Sequence, residues 1–514
     1  MPKKPSSDLF DLIGSLSRNE KIYFRRFAKR HADHSDNNYI RLFDQVDKLS
    51  TYDEKKMIRG GFPANQLPRT KNYLNKIILD ALQQYHASNK VETILKNQLD
   101  QIQILYEKGL FLQTRKLVRK TKKLAMAYDE FPVLLEALKW EIRLYGNDLN
   151  IKRIERINTE QKKIIDKFNE FLEMETLSNI MFGIYRSEGY TRKKSVINKA
   201  KEIIRHPKLQ GREQDLTSFL GKYHYNMIFG LFHYITGNFH ESLKYRVRKV
   251  AIFDEQPKYI AEYFQRYWQS IFEACNIISL LYREDDFNRM KDKASRIISS
   301  QGKSITRENK MLIEYFLFTH ELQFENHAGR FDTAVQIIRS KSHLANKVAH
   351  MLAKGDRINF LNQMARAYFG IGDYGLSLKW TNDILSHSDH DIPAHTRNMA
   401  IMLKILNLFE LGHMDTLEST LRSSLDYFTK QKSTYKVEYA LIRLFQSLLT
   451  APPGKEQTRL LQQARDQLIQ LRLEPNQFMF FHDLDITAWI DAKITQQPFA
   501  KLALEKASSL QKRA

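Results

Sequence analysis

One cysteine, Cys275, in 514 residues rules out an intramolecular disulfide framework and any zinc site that needs two thiolates. Glycine and proline are scarce as well, 19 and 12, roughly half of ordinary usage, which argues against collagen-like, low-complexity and turn-rich β architectures. No apolar run approaches the roughly 20 residues of a membrane span; the most apolar stretch, Met227–Tyr234, is far shorter. The start of the chain lacks the apolar core of a secretory leader, because Asp8 and Asp11 interrupt it. No membrane insertion and a cytoplasmic location are therefore expected. The H-E-x-x-H, G-x-S-x-G and C-x-x-C signatures are missing too.

What the chain has in excess is positive charge. It carries 81 Lys+Arg against 59 Asp+Glu, a net +22. Residues 1–250 hold +18 of it (47 against 29), leaving +4 for residues 251–514 (34 against 30). A field so uneven attracts polyanions or acidic proteins to the N-terminal half. Apolar residues, 42% with tyrosine included, recur at helical spacing, and strand-like alternation is absent over any useful length. The chain reads as all-α. Leu9, Phe10, Leu12, Ile13 and Leu16 form one short stripe. Ile22, Tyr23, Phe27 and Ala28 form a second, behind the capping-box pair Ser17 and Glu20. A long helix through Tyr73–Tyr85 completes a predicted N-terminal bundle, residues 1–90, followed by a second domain, 91–514.

From residue 91 the pattern repeats. Turn positions Gly109, Gly146, Gly189, Gly237, Asp285, Gly329, Gly372, Gly412 and Gly454 recur at intervals of 37–48 residues. Each interval has room for two helices, neither of which buries its apolar stripe alone. The segment Leu361–Leu385, with Ala365, Tyr368, Gly372, Tyr374 and Ser377, resembles a tetratricopeptide repeat. Gly230, Gly237, Phe239 and Ser242 make a similar copy, as do Gly329, Phe331 and Ala334, and Gly109, Phe111 and Thr114. The intervals exceed that family's usual 34 residues and its terminal proline is missing. The resemblance implies an α-solenoid of helical hairpins, an open curved ribbon without a closed catalytic pocket, that binds a protein or peptide in its groove. Asn359, Asn362, Arg366 and Phe369 are the implied groove residues; Asn and Arg one turn apart suit a peptide carboxylate. The same four also fit an ordinary polar ridge.

Other motifs carry less. Gly370-Ile371-Gly372-Asp373-Tyr374-Gly375 matches a dinucleotide-loop pattern but follows a helix where that loop needs a strand. Gly302-Lys303-Ser304 lacks the upstream glycine of a phosphate loop. The pairs His31/His34 and His387/His390 have metal-ligand spacing without an anchored third ligand, and Cys275 sits on an apolar stripe. No cofactor and no enzymatic activity are expected.

Basic helix faces are the stronger signal. On the helix Leu112–Tyr128, Arg115, Lys116, Arg119, Lys120, Lys122 and Lys123 lie opposite the apolar stripe. On Thr191–His206, Arg192, Lys193, Lys194, Lys199 and Arg205 do the same, and near the start so do Arg25, Arg26, Lys29 and Arg30. Solvated helix faces look like this, and so does a surface for an acidic partner. The expectation is a non-enzymatic scaffold or adaptor for an acidic protein or peptide. The alternative is a nucleic-acid-binding regulator whose first 90 residues form a helix-turn-helix-like unit, with Arg69–His86 as recognition helix and Lys71, Asn72 and Asn75 as its readers.

Overall fold

The computed structural model describes residues 7–31, 38–49, 51–86, 90–146, 151–300, 307–348, 351–387, 392–430, 436–474 and 477–511. Among the described residues every regular element is helical: 26 α-helices, two short 3-10 turns and no strand. The helices follow their apolar spacing. Phe111–Ala127 buries Thr114, Val118, Thr121 and Ala125, and Asn38–Asp47 buries Leu42, Phe43 and Val46. The Ser17/Glu20 capping box forms as its spacing predicts. The Ser17 amide donates to Glu20 Oε2 at 2.7 Å, and the Glu20 amide donates to Ser17 Oγ at 3.3 Å.

Seven of the nine predicted turns, Gly109, Gly189, Gly237, Gly329, Gly372, Gly412 and Gly454, have φ between +63° and +103°. That left-handed conformation costs a side chain about 1–2 kcal/mol, and glycine nothing. The turn expected at Asp285 is made by Tyr282 (φ +57°), with Asp285 in the first turn of the helix Glu284–Ser300. A further turn at Asp129 (φ +56°) has no glycine to announce it.

The chain divides into two compact units, Met1–Ile165 and Asp166–Ala514, the boundary falling inside the helix Ile151–Glu188. The sequence reading places a further boundary at residue 90. In the first unit that position separates two apolar clusters. Ile13, Phe24, Phe43, Leu74 and Ile78 centre the bundle, while Ile102, Val118, Trp140 and Leu144 centre the helices after it.

In the second unit neighbouring helices pack in sequence: Phe219–Ile235 on Phe239–Glu255, Lys354–Gly370 on Tyr374–Ser386, and Lys455–Arg472 on Ile486–Thr495. Its described residues do not leave an open ribbon. Leu504 and Ala503 lie so near Gly329 that a Cβ there would meet their backbone at 2.7–2.9 Å. Phe499 packs on Phe331 and on Phe369, with ring centroids 5.5 Å apart in each case. The expectation of an exposed concave ribbon is corrected on this point. Helices near the C-terminus fold back over earlier ones because Phe331, Phe369 and Phe499 are apolar surfaces that bury one another.

Candidate functional site

The four implied groove residues sit on the helix Lys354–Gly370, which ends at Gly372 (φ +82°), where the Asp373 side chain accepts from the Leu376 amide and starts the next helix. The dinucleotide-like glycines are thus a corner between two helices. Gly370 lies against the Phe331 ring so closely that a Cβ would overlap it. Asn359 and Asn362 are half-buried. Arg366 is 8% exposed; its Nη1 lies 3.2 Å from His327 Nε2, and its Nη2 donates to the His482 carbonyl at 3.4 Å. Phe369 is 2% exposed, packed between Tyr374 and Phe499. Arg366 and Phe369 are therefore covered by the chain's own C-terminal residues and do not face an open groove. They border a small cleft together with Tyr282, His327, Arg472, His482 and Asp485. Asn359 and Asn362 do not line it.

The basic surface divides by burial. On Phe111–Ala127, Lys116, Arg119, Lys120 and Lys123 are exposed, and none is ion-paired among the described residues. Arg115 is half-buried, stacked on Tyr145 with its guanidinium 4.9 Å from the ring centre, and donates to the Leu144 carbonyl at 3.1 Å. Lys122 bonds Glu141 at 2.9 Å and Glu160 at 2.8 Å. Burial disfavours its charge, but the hydrogen bonds it donates to those carboxylates outweigh burial and hold its pKa above the usual value. Exposed apolar side chains bracket the free cations, Leu112 at 76% and Met126 at 51%. At about 100° per residue, Leu112, Lys116, Arg119, Lys120, Lys123 and Met126 fall within about 120° of arc. They form one continuous face.

The second basic helix begins later than expected, at Lys194, and ends at Ile204. Lys194, Lys199 and Arg205 are exposed, whereas Lys193 is half-buried and paired with Glu188 at 3.0 Å. Arg192 is not a surface residue at all. It is 4% exposed, and its Nη1 bonds Glu438 at 3.0 Å and Gln477 at 2.9 Å. Near the start, Arg25 is held by Asp44 and Asp47, leaving Arg26, Lys29 and Arg30 exposed. Of the expected readers on Leu67–His86, Lys71 is engaged by Tyr52 at 2.7 Å and Glu54 at 3.3 Å, Asn75 is half-buried and Asn72 is exposed.

No protein-family model matches the sequence, and no curated protein matches it. Among the remaining motifs, Gly302-Lys303-Ser304, His34 and His390 lie outside the described residues, as does the side chain of His31. Cys275 is 1% exposed and burial pushes its thiol up to about 12, so it is not thiolate at neutral pH. One group of residues escaped sequence reading. Tyr245-Arg246-Val247-Arg248-Lys249 reads as another solvated basic run, yet Arg246 and Lys249 are 3% and 1% exposed. The signal was the spacing of three, which places both on the face that carries buried Ser242, Leu243 and Val250.

Proposed function

We propose that this chain is a non-enzymatic helical-repeat adaptor, similar to tetratricopeptide-repeat proteins in building hairpins on left-handed turns, that docks an acidic protein partner on the outer face of the helix Phe111–Ala127. The observation that carries this is the exposed run Leu112, Lys116, Arg119, Lys120, Lys123, Met126. Cations bracketed by exposed apolar side chains suit a protein surface, which offers carboxylates beside apolar side chains. The groove is a weaker candidate, since Arg366 and Phe369 are occupied by the chain itself. The first unit also has the denser charge, 32 Lys+Arg against 20 Asp+Glu in 165 residues, a net +12, where the 349 residues of the second unit carry 49 against 39, a net +10.

A second reading, nucleic-acid binding, draws on Arg69, Asn72, Tyr73 and Lys76, which share one exposed face of Leu67–His86. Phosphate-tracking cations with an aromatic platform suit a single strand.

Titrating the full chain with fluorescent poly-glutamate and with a mixed-sequence oligonucleotide over a salt series tests both. For the adaptor, poly-glutamate binds, and the triple charge reversal Lys116→Glu, Arg119→Glu, Lys123→Glu weakens it at least ten-fold. Tight oligonucleotide binding with a steep salt slope, unaffected by that variant, favours the second reading. Binding of neither probe sinks both.

A further inference from the structure

The helix Phe239–Glu255 packs on both Phe219–Ile235 and Phe264–Leu280, and with Phe264–Leu280 it supplies three cations and one carboxylate. Lys249 and Arg246 both donate to Glu273 Oε2, the Arg246 contact being 3.5 Å. Arg246 also bonds Ser242 Oγ and the Glu273 carbonyl, each at 3.2 Å, and its Nη2 finds no hydrogen-bond partner among the described residues. Arg266 has no carboxylate partner among them. Its guanidinium lies 5.4 Å from the centre of the Tyr223 ring, whose other cationic neighbour is Lys249 Nζ at 5.1 Å, and its Nη1 is buried and unbonded. His224 stands beside Tyr223, rings 5.4 Å apart, and its Nδ1 lies 2.7 Å from Ser178 Oγ.

Charge accounting makes this arrangement incomplete. Burial disfavours the Glu273 carboxylate, but Lys249 and then Arg246 outweigh it and hold its pKa below the usual range, so it is charged. Burial and the nearby Arg266 and Lys249 hold His224 neutral, at about 3. Asp254, on the same helix as Arg246 and Lys249, is already engaged: it accepts from Tyr267 Oη at 2.7 Å and pairs with Lys293. Three cations against one carboxylate leave an excess of +2, with guanidinium N–H groups that are buried and unbonded among the described residues. Such charges are stable when a counter-ion satisfies them. A third of the Glu273 side chain stays open to solvent, which gives a ligand access.

We infer that Arg246, Lys249 and Arg266 form a binding site for a phosphate-class dianion, free or as a monoester. Two negative charges match the excess of two, and guanidinium forks with an ammonium suit tetrahedral oxyanions. The probes are inorganic phosphate and, in a separate arm, phenyl phosphate, each against the full chain at constant ionic strength. Equilibrium dialysis is expected to show saturable binding of one phosphate per chain, with a rise in melting temperature that equal concentrations of acetate do not reproduce. Arg266→Gln removes a cation without orphaning a carboxylate and is expected to weaken binding at least ten-fold, while Lys455→Gln, at an exposed position, leaves it unchanged. Preference for phenyl phosphate assigns a monoester, and preference for inorganic phosphate the free ion. Absence of saturable binding to the wild-type chain in both arms overturns the site, as does unchanged affinity in folded Arg266→Gln.

Discussion

At the residue scale the second unit keeps ionisable groups where water is excluded, and this sets its pH response. His224 and His320 are held neutral by burial, to about 3 and about 4, with Arg266 and Lys249 adding to the effect at His224. An unfolded histidine takes up its proton near 6.5. Between those values the unfolded chain binds more protons than the folded one, so stability falls as pH drops from about 7 towards 4, by up to about 1.4 kcal/mol per pH unit for each group. Replacing His224 by Gln is expected to flatten that slope by up to one proton in urea unfolding measured at pH 7, 6 and 5; an unchanged slope contradicts the assignment. The Arg192–Glu438 pair gives a second prediction. Arg192→Met leaves Glu438, 1% exposed, buried without its cation and should cost about 3–5 kcal/mol, much of it recovered in the double variant with Glu438→Met. In the sequence, Arg192 reads as surface because Lys193 and Lys194 follow it. Its true partners stand 246 and 285 positions away, and no local pattern encodes a contact of that range.

Turns and stripes are the most legible features of the elements. Scarce glycines at regular intervals mark left-handed corners, and the apolar spacing marks the helices between them. Tyr282 and Asp129 adopt the same conformation at a steric cost that neighbouring packing holds in place, so glycine counting alone misplaces or misses those two corners. Equivalent glycines are not equivalent in consequence. At Gly412 (φ +70°) a Cβ meets nothing within 4 Å, and Gly412→Ala should cost only the left-handed strain, about 1–2 kcal/mol. At Gly329 (φ +72°) the Cβ also collides with the backbone of Ala503 and Leu504, so Gly329→Ala should be clearly worse, and thermal unfolding of the two variants side by side checks it. Equal losses would mean that the helix Phe499–Gln511 does not press on that corner in solution.

For the whole molecule, the class of fold was readable and the covering of the inner helices was not. Composition and period suffice for an all-helical chain because they are local. Burial of Arg366 and Phe369 depends on His482 and Phe499, more than a hundred positions away, and a repeat register says nothing of what lies over it. The basic faces were half legible for the same reason. Helical spacing finds every outward cation, but only packing shows that Arg115 and Lys122 are already engaged while Lys116, Arg119, Lys120 and Lys123 are free of ion pairs among the described residues. Recognition by the exposed face of Phe111–Ala127, and not by the covered helix Lys354–Gly370, is best tested by hydrogen–deuterium exchange of the full chain with and without poly-glutamate. New protection is expected in Phe111–Ala127, with Lys354–Gly370 and Phe499–Gln511 unchanged. Protection of Lys354–Gly370 together with faster exchange in Phe499–Gln511 would show instead that the ligand displaces the C-terminal helix and enters the groove.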